Sequence, residues 1–181
     1  MVLCGSLRED SVTHRALEIV ALGVRKAGGS VTWADPWVRQ LPLFSEAAED
    51  VAEGTAFREA AAEARGFVWG SPEYHAAPAG VLKNALDYLS FDQTENKWVG
   101  LVASAGGEGA GASTLAMLRT IARGLHLWCP PDQVAVPGSR KALNEDGSFK
   151  DREVEERLIR LGEVLVRSIQ TFCARRRKDS V

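Results

Sequence analysis

The sequence predicts an α/β sandwich, a parallel β-sheet with helices on both faces, from three observations. A short apolar run, a loop and an amphipathic stretch recur in that order along the chain. Five such runs alternate with five helical stripes, the pattern of parallel strands joined by crossover helices. No repeat, low-complexity tract or linker divides the 181 residues, so one domain spanning 1–181 is expected.

Taken in order, the first strand is Val2–Cys4, and Leu17, Val20, Ala21 and Val24 share one face of the helix after it. A second strand is expected at Ser30–Ala34, followed by a helix whose buried stripe is Phe57, Ala60, Ala61 and Ala64. The third strand is Gly66–Gly70, and Val81, Leu82, Ala85, Leu86 and Leu89 form the stripe after it. The fourth is Trp98–Ala103, with Leu115, Leu118, Ile121, Ala122 and Leu125 on the next helix. The fifth runs roughly from Trp128 to Val136, and a last helix carries Val154, Leu158, Leu161, Leu165, Ile169 and Phe172. Right-handed crossovers leave few topologies for such a chain. The expected one is a flavodoxin-like three-layer sandwich, a five-stranded parallel sheet of order 2-1-3-4-5. The first strand is short for the middle of a sheet, so either it is truncated or the true start lies upstream of Met1.

Composition narrows the function. A net charge of −2 gives no global reason to expect nucleic acid or an anionic membrane. The local basic run Arg175–Lys178 complements the end of the last helix. No apolar run reaches the length of a membrane span, and the first ten residues lack the apolar region of a signal peptide. Cys4, Cys129 and Cys173 are odd in number and widely spaced, which argues against disulfides and zinc and for a cytoplasmic setting. His14, His75 and His126 do not have metal-ligand spacing. "GLVAS" lacks the flanking glycines of a serine hydrolase's nucleophile elbow.

In the expected fold, ligands bind at the carboxyl ends of the strands, so chemistry belongs in the loops after the first, third and fourth. The first of these, "CGSLREDSVTHRAL", combines a helix start with hydroxyls and an arginine, a set that cages an anion. It has no Walker lysine, which favours a monophosphate over a nucleoside triphosphate. The loop after the third strand, "SPEYHAAPAGVLKNALDYLS", carries two prolines that stiffen a main chain available to a ligand.

These stretches resemble the NAD(P)H-dependent FMN reductases. "GSLREDSVTHRAL" is similar to the family's G-S-L-R-x-x-S-x-N-x-x-L, and "LPLF" (41–44) to its segment after the second strand. "SPEYHAAPAGVLKNALDYLS" resembles S-P-E-Y-N-x-x-x-P-G-V-L-K-N-A-[IL]-D-W, and "SAGGEGAG" (104–111) its glycine-rich loop. The resemblance implies non-covalent FMN reduced by NADPH or NADH. Electrons would pass on to quinones, azo dyes, chromate, iron complexes or free flavin. By the same resemblance Ser6, Leu7, Arg8, Ser11 and Thr13 form the phosphate loop, while the backbone of Pro72, Glu73, Tyr74 and His75 borders the isoalloxazine. Ser104, Gly106 and Gly107 would close the other side, and the helix at Val81–Ser90 implies a homodimer or homotetramer. No catalytic side chain is expected, because the flavin carries the hydride chemistry.

Two positions depart from the family pattern. Thr13 stands where it has Asn, and phosphate binding is expected to survive. His75 also replaces Asn. Main-chain contact alone makes that change innocuous, whereas an imidazole reaching the ring edge would make the flavin potential pH-dependent near neutrality.

Three other readings compete. Gly107–Ala112 fits G-x-G-x-x-[GA], the fingerprint of a Rossmann dinucleotide site, but it comes too late in the strand sequence for that fold. A flavodoxin-type electron carrier would share fold and cofactor, yet such proteins are strongly acidic and lack a loop arginine. A member that has lost its flavin would be a colourless binding module. Arg119, Arg123 and Arg140 are the candidates for a nicotinamide 2′-phosphate.

Overall fold

The apolar runs assemble into one sheet because each presents alternate side chains to two opposite layers. The computed structural model describes residues 1–46, 51–107 and 111–178. Its parallel strands are β1 (Val2–Cys4), β2 (Gly66–Tyr74), β4 (Trp98–Ser104) and β5 (Val134–Val136), in the order β1-β2-β4-β5. A two-residue strand, β3 (Ala77–Pro78), folds back antiparallel on the end of β2. The helices are α1 (Val12–Lys26), α2 (Asp35–Gln40), α3 (Ala52–Glu63), α4 (Gly80–Asp87), α5 (Phe91–Thr94), α6 (Ala112–Gly124) and α7 (Arg152–Lys178).

The pleat sorts the core. Val2, Val68 and Val102 join Leu17 and Val20 of α1 and Leu158 and Leu161 of α7 in one apolar layer. Their neighbours Leu3, Trp69 and Leu101 join Phe57 of α3, Leu82 and Leu86 of α4 and Leu118 of α6 in the other. Each of the five helical stripes read from the sequence falls on a helix of the structure, although Ala64, Leu89 and Leu125 at the ends of three of them lie just beyond α3, α4 and α6. Helices α1 and α7 pack closely, and Gly23 and Gly162 let the two backbones touch. A Cβ on Gly23 would overlap the Ile159 carbonyl, and one on Gly162 the Val20 carbonyl.

Two expected strands are reduced. Ser30–Ala34 stays in its expected place beside β1 but is held there by a single bridge, Val2 to Trp33. Val2 N–H donates to the Thr32 carbonyl and Ala34 N–H to the Val2 carbonyl, both at 2.8 Å. A three-residue β1 offers little ladder, and α2 begins at once with a proline in its first turn. The expected fifth strand shrinks to Val134–Val136, with Trp128 bridged to Trp98, because Pro130 and Pro131 between them have no N–H to donate. A cavity of about 570 Å³ lies at the amino end of the sheet, among Val31, Gly66, Phe67, Val166 and Ile169, away from the loops of interest.

Candidate functional site

The first loop is held at both ends, against β2 and at the start of α1. Gly5 N–H donates to the Gly70 carbonyl at 2.8 Å, holding the loop against β2. Ser6 is buried, and its hydroxyl oxygen lies 3.4 Å from the Arg8 N–H that it accepts. Ser11 caps α1, accepting from the His14 N–H at 3.1 Å. The amides of Val12 and Thr13 come before that capped one and have no protein acceptor among the described residues. Arg8 is exposed and enters no salt bridge among the described residues. Leu7 is exposed, and its carbonyl accepts from Arg39 Nη1 at 3.3 Å. Helix-start amides, two hydroxyls with protons to give and an unpaired guanidinium form a donor set that fits a phosphate monoester.

Thr13 behaves differently from its loop neighbours. Its hydroxyl lies 2.6 Å from that of Ser104, with both side chains buried. The sequence expectation is that this hydroxyl meets the phosphate; its partner in the structure is Ser104, at the end of β4.

The proline-braced stretch is a β-hairpin rather than the open loop expected after Gly70. β2 continues to Tyr74, and Tyr74 pairs with Ala77 and Glu73 with Pro78. His75 and Ala76 make the turn with φ of 52° and 61°, as a type I′ turn requires. Asn is the residue most at ease there outside Gly, so the family's Asn and this chain's His75 serve one backbone need. The side chains of Tyr74 and His75 are exposed at the tip. Ser71, which sequence reasoning passed over, braces the base. Its hydroxyl donates to the Pro72 carbonyl and accepts from the Ala79 N–H, both at 2.8 Å. Glu73 turns its carboxylate to α6, accepting the Thr114 N–H at 3.1 Å. Burial pushes the Glu73 carboxyl up, but the amides of Thr114 and Gly111 outweigh it and hold it below the ordinary glutamate value.

The third loop begins at Ala105, whose N–H donates to the Val136 carbonyl at 3.0 Å. Ser139 N–H donates to the Ala105 carbonyl at 2.8 Å, and Gly138 N–H to the Gly107 carbonyl at 3.2 Å. Gly106 and Gly107 are exposed, while Glu108–Ala110, the middle of the G-x-G-x-x-[GA] stretch, lie outside the described residues. The three loops thus gather at the carboxyl ends of β1, β2 and β4.

A second feature missed from sequence is the anchoring of residues 41–44. Asn84 of α4 accepts from the Phe44 N–H at 2.8 Å and donates to the Pro42 carbonyl at 2.9 Å. Tyr88 donates to the same carbonyl at 3.1 Å. Leu43 is left 85% exposed. The signal was the "KN" one turn into the helix, which periodicity reads only as polar surface.

Other candidates are accounted for by packing. Arg119 donates to Gln133 and to the Pro130 carbonyl, which leaves Arg123 and Arg140 as the exposed pair. His14 stacks on Trp33 with ring centres 4.7 Å apart, and its Nε2 is 3.3 Å from Asp35, whose carboxyl is raised by burial. His126 stacks on Phe91 at 4.0 Å. Burial pushes the Cys4 thiol up to about 11. The described residues contain no group of three or more side chains able to hold a metal.

The sequence model of the NADPH-dependent FMN reductases matches residues 1–141. An FMN-dependent NADPH-azoreductase of Staphylococcus aureus is 41% identical over 92 residues, 51% of this chain and 48% of that protein. The chain therefore matches about half the length of these curated relatives. Among solved structures, the flavoenzyme NAD(P)H:(acceptor) oxidoreductase FerB of Paracoccus denitrificans superposes with a TM-score of 0.78 at 20% identity, covering 94% of this chain and 96% of that one. The apo form of the NADH:FMN oxidoreductase EmoB gives 0.69 at 19% identity, over 92% of this chain and 87% of that one. An archaeal flavodoxin gives 0.66 at 12%, over 93% and 96%. At these identities the structures speak for the fold.

Proposed function

The chain belongs to the NADPH-dependent FMN reductase family, and from that premise we propose that it is an FMN-containing oxidoreductase. It takes electrons from NADPH or NADH and hands them to a small acceptor. The observation that carries this reading is the donor set at the start of α1, which suits one phosphate monoester, beside a hairpin whose main chain suits the rim of a flat ring.

In this reading Ser6, Arg8, Ser11 and the Val12 and Thr13 amides hold the phosphate, with Leu7 supporting the loop through its carbonyl. The main chain of Pro72, Glu73, Tyr74 and His75 borders the isoalloxazine. Ser104, Gly106 and Gly107 close the far side. FMN, when bound, supplies the hydride chemistry. The protein's own work is to orient it and leave one face open; no side chain acts as acid, base or nucleophile. Quinones, azo compounds, chromate, ferric complexes and free flavin are the proposed acceptor classes. Exposed Leu43, Phe44 and Tyr74 support a homodimer or homotetramer, and the free cysteines support a cytoplasmic setting.

The test is anaerobic mixing of the FMN-loaded protein with NADPH and, separately, NADH. Rapid bleaching of the flavin absorbance is the expected result. An unchanged spectrum with both would mean an electron carrier, and failure to take up FMN a binding module.

A further inference from the structure

β1 and β4 are not neighbours in the sheet, because β2 lies between them. No ladder hydrogen bond therefore fixes the distance between their carboxyl ends, where two of the three site loops begin. One polar contact spans that gap directly. Thr13, the second residue of α1, and Ser104, the last of β4, bring their hydroxyl oxygens to 2.6 Å across 91 residues of sequence. Thr13 is 2% exposed and Ser104 4%, so water does not compete for the bond. Among the described residues it is the only side-chain hydrogen bond between α1 and β4.

Two hydroxyls hold two protons. One lies between the oxygens, so the pair has a single proton left to offer elsewhere. Thr13 therefore cannot be counted as a phosphate donor independent of Ser104.

We propose that Thr13 and Ser104 form a clasp, a pair of positioning residues that sets the distance between the loop holding the cofactor's phosphate and the loop closing on its ring. This rests on the FMN reading above and changes the role of Thr13 within it. A phosphate ligand acts at one end of the cofactor. A clasp preorganises both ends, and its loss is felt by any flavin, with or without a phosphate.

The test measures dissociation constants for FMN and riboflavin by quenching of flavin fluorescence. The proteins are wild type, Thr13→Val, Thr13→Ser, Ser104→Ala and the Thr13→Val/Ser104→Ala double variant, each with a thermal melt to establish folding. Thr13→Val is expected to weaken both flavins by a similar factor, roughly three- to tenfold, the worth of one buried hydrogen bond. Ser104→Ala should do the same, the double variant should be little worse than either single one, and Thr13→Ser should stay near wild type. Loss of FMN affinity alone in Thr13→Val would make Thr13 a phosphate ligand and overturn the clasp while leaving the FMN site standing. Additive effects in the double variant would also overturn it. A wild-type protein that binds neither flavin would remove the FMN reading, and the clasp with it.

Discussion

The Glu73 carboxylate, on the penultimate residue of β2, accepts the backbone N–H of Thr114 in the first turn of α6 at 3.1 Å. A residue of the hairpin thus caps the start of the helix that follows the glycine-rich loop. Gly111, the residue at that helix start, has a φ of 107° and no side chain to cap with, so Glu73 does the capping from another element. Its folded carboxyl sits below the ordinary glutamate value because amide donors outweigh burial. The stability it contributes is therefore full above the unfolded value and is lost as pH falls through the folded one. Glu73→Gln should flatten this acid limb in denaturant titrations at a series of pH values. At neutral pH it should lower stability by about 0.5 kcal/mol, a figure kept small by solvent screening.

The crossing of α1 and α7 gives the largest expected stability effect. Gly23→Ala or Gly162→Ala places a methyl group against a facing carbonyl, of Ile159 or Val20 respectively. Neither obstacle is a flexible side-chain end, so the helices must move apart. Each substitution is expected to destabilise by about 3 kcal/mol, at the upper end for an overpacked core. A urea titration showing a loss below about 1 kcal/mol would mean that the crossing is looser than described.

Much of this architecture is legible in the sequence, for identifiable reasons. Leu17–Val24 and Leu158–Leu165 advertise their helices through spacing alone, since burial on one face imposes the helical period. The strand alternation around Val68 and Trp69 needs only the knowledge that both faces are covered. Ser30–Ala34 reads as a strand, but pairing depends on the length of its neighbour, and β1 has only three residues to offer. The hairpin at Tyr74–Ala77 escapes notice because its turn residues are His and Ala, not the Asn-Gly or Gly-Gly pair that marks a two-residue turn. Within the candidate site, residue types point to an anion-binding loop at the start of α1, but Thr13's partner lies 91 positions off and only the folded sheet brings it near.

The hairpin turn leads to a prediction at His75. With φ of 52°, the position tolerates Asn and resists β-branched residues. On the proposed reading, in which only the main chain borders the ring, His75→Asn is expected to keep flavin affinity and to leave the pH profile of the midpoint potential between pH 6 and 8 unchanged. A flattened profile would instead assign the imidazole a part in it. His75→Val should weaken FMN binding by straining the turn, by about 1–2 kcal/mol.

Thiol reactivity should separate the three cysteines. Cys4 is buried, and its thiol is pushed up to about 11, so almost none is ionised at pH 8. Cys173 is half-buried on α7, with Arg65 donating to its sulfur at 3.0 Å. Alkylation with iodoacetamide followed by peptide mass mapping should modify Cys173 first. Cys4 should react only as the protein unfolds, and fast native labelling of Cys4 would mean that the first loop opens in solution.

The most direct test of the account is the affinity of the protein for FMN and for riboflavin, before and after Arg8→Ala. If the turn into α1 holds a phosphate, wild type prefers FMN, and Arg8→Ala weakens FMN by roughly 1.5–3 kcal/mol while hardly touching riboflavin. Equal affinity of wild type for the two flavins, or equal losses on removing Arg8, would contradict it.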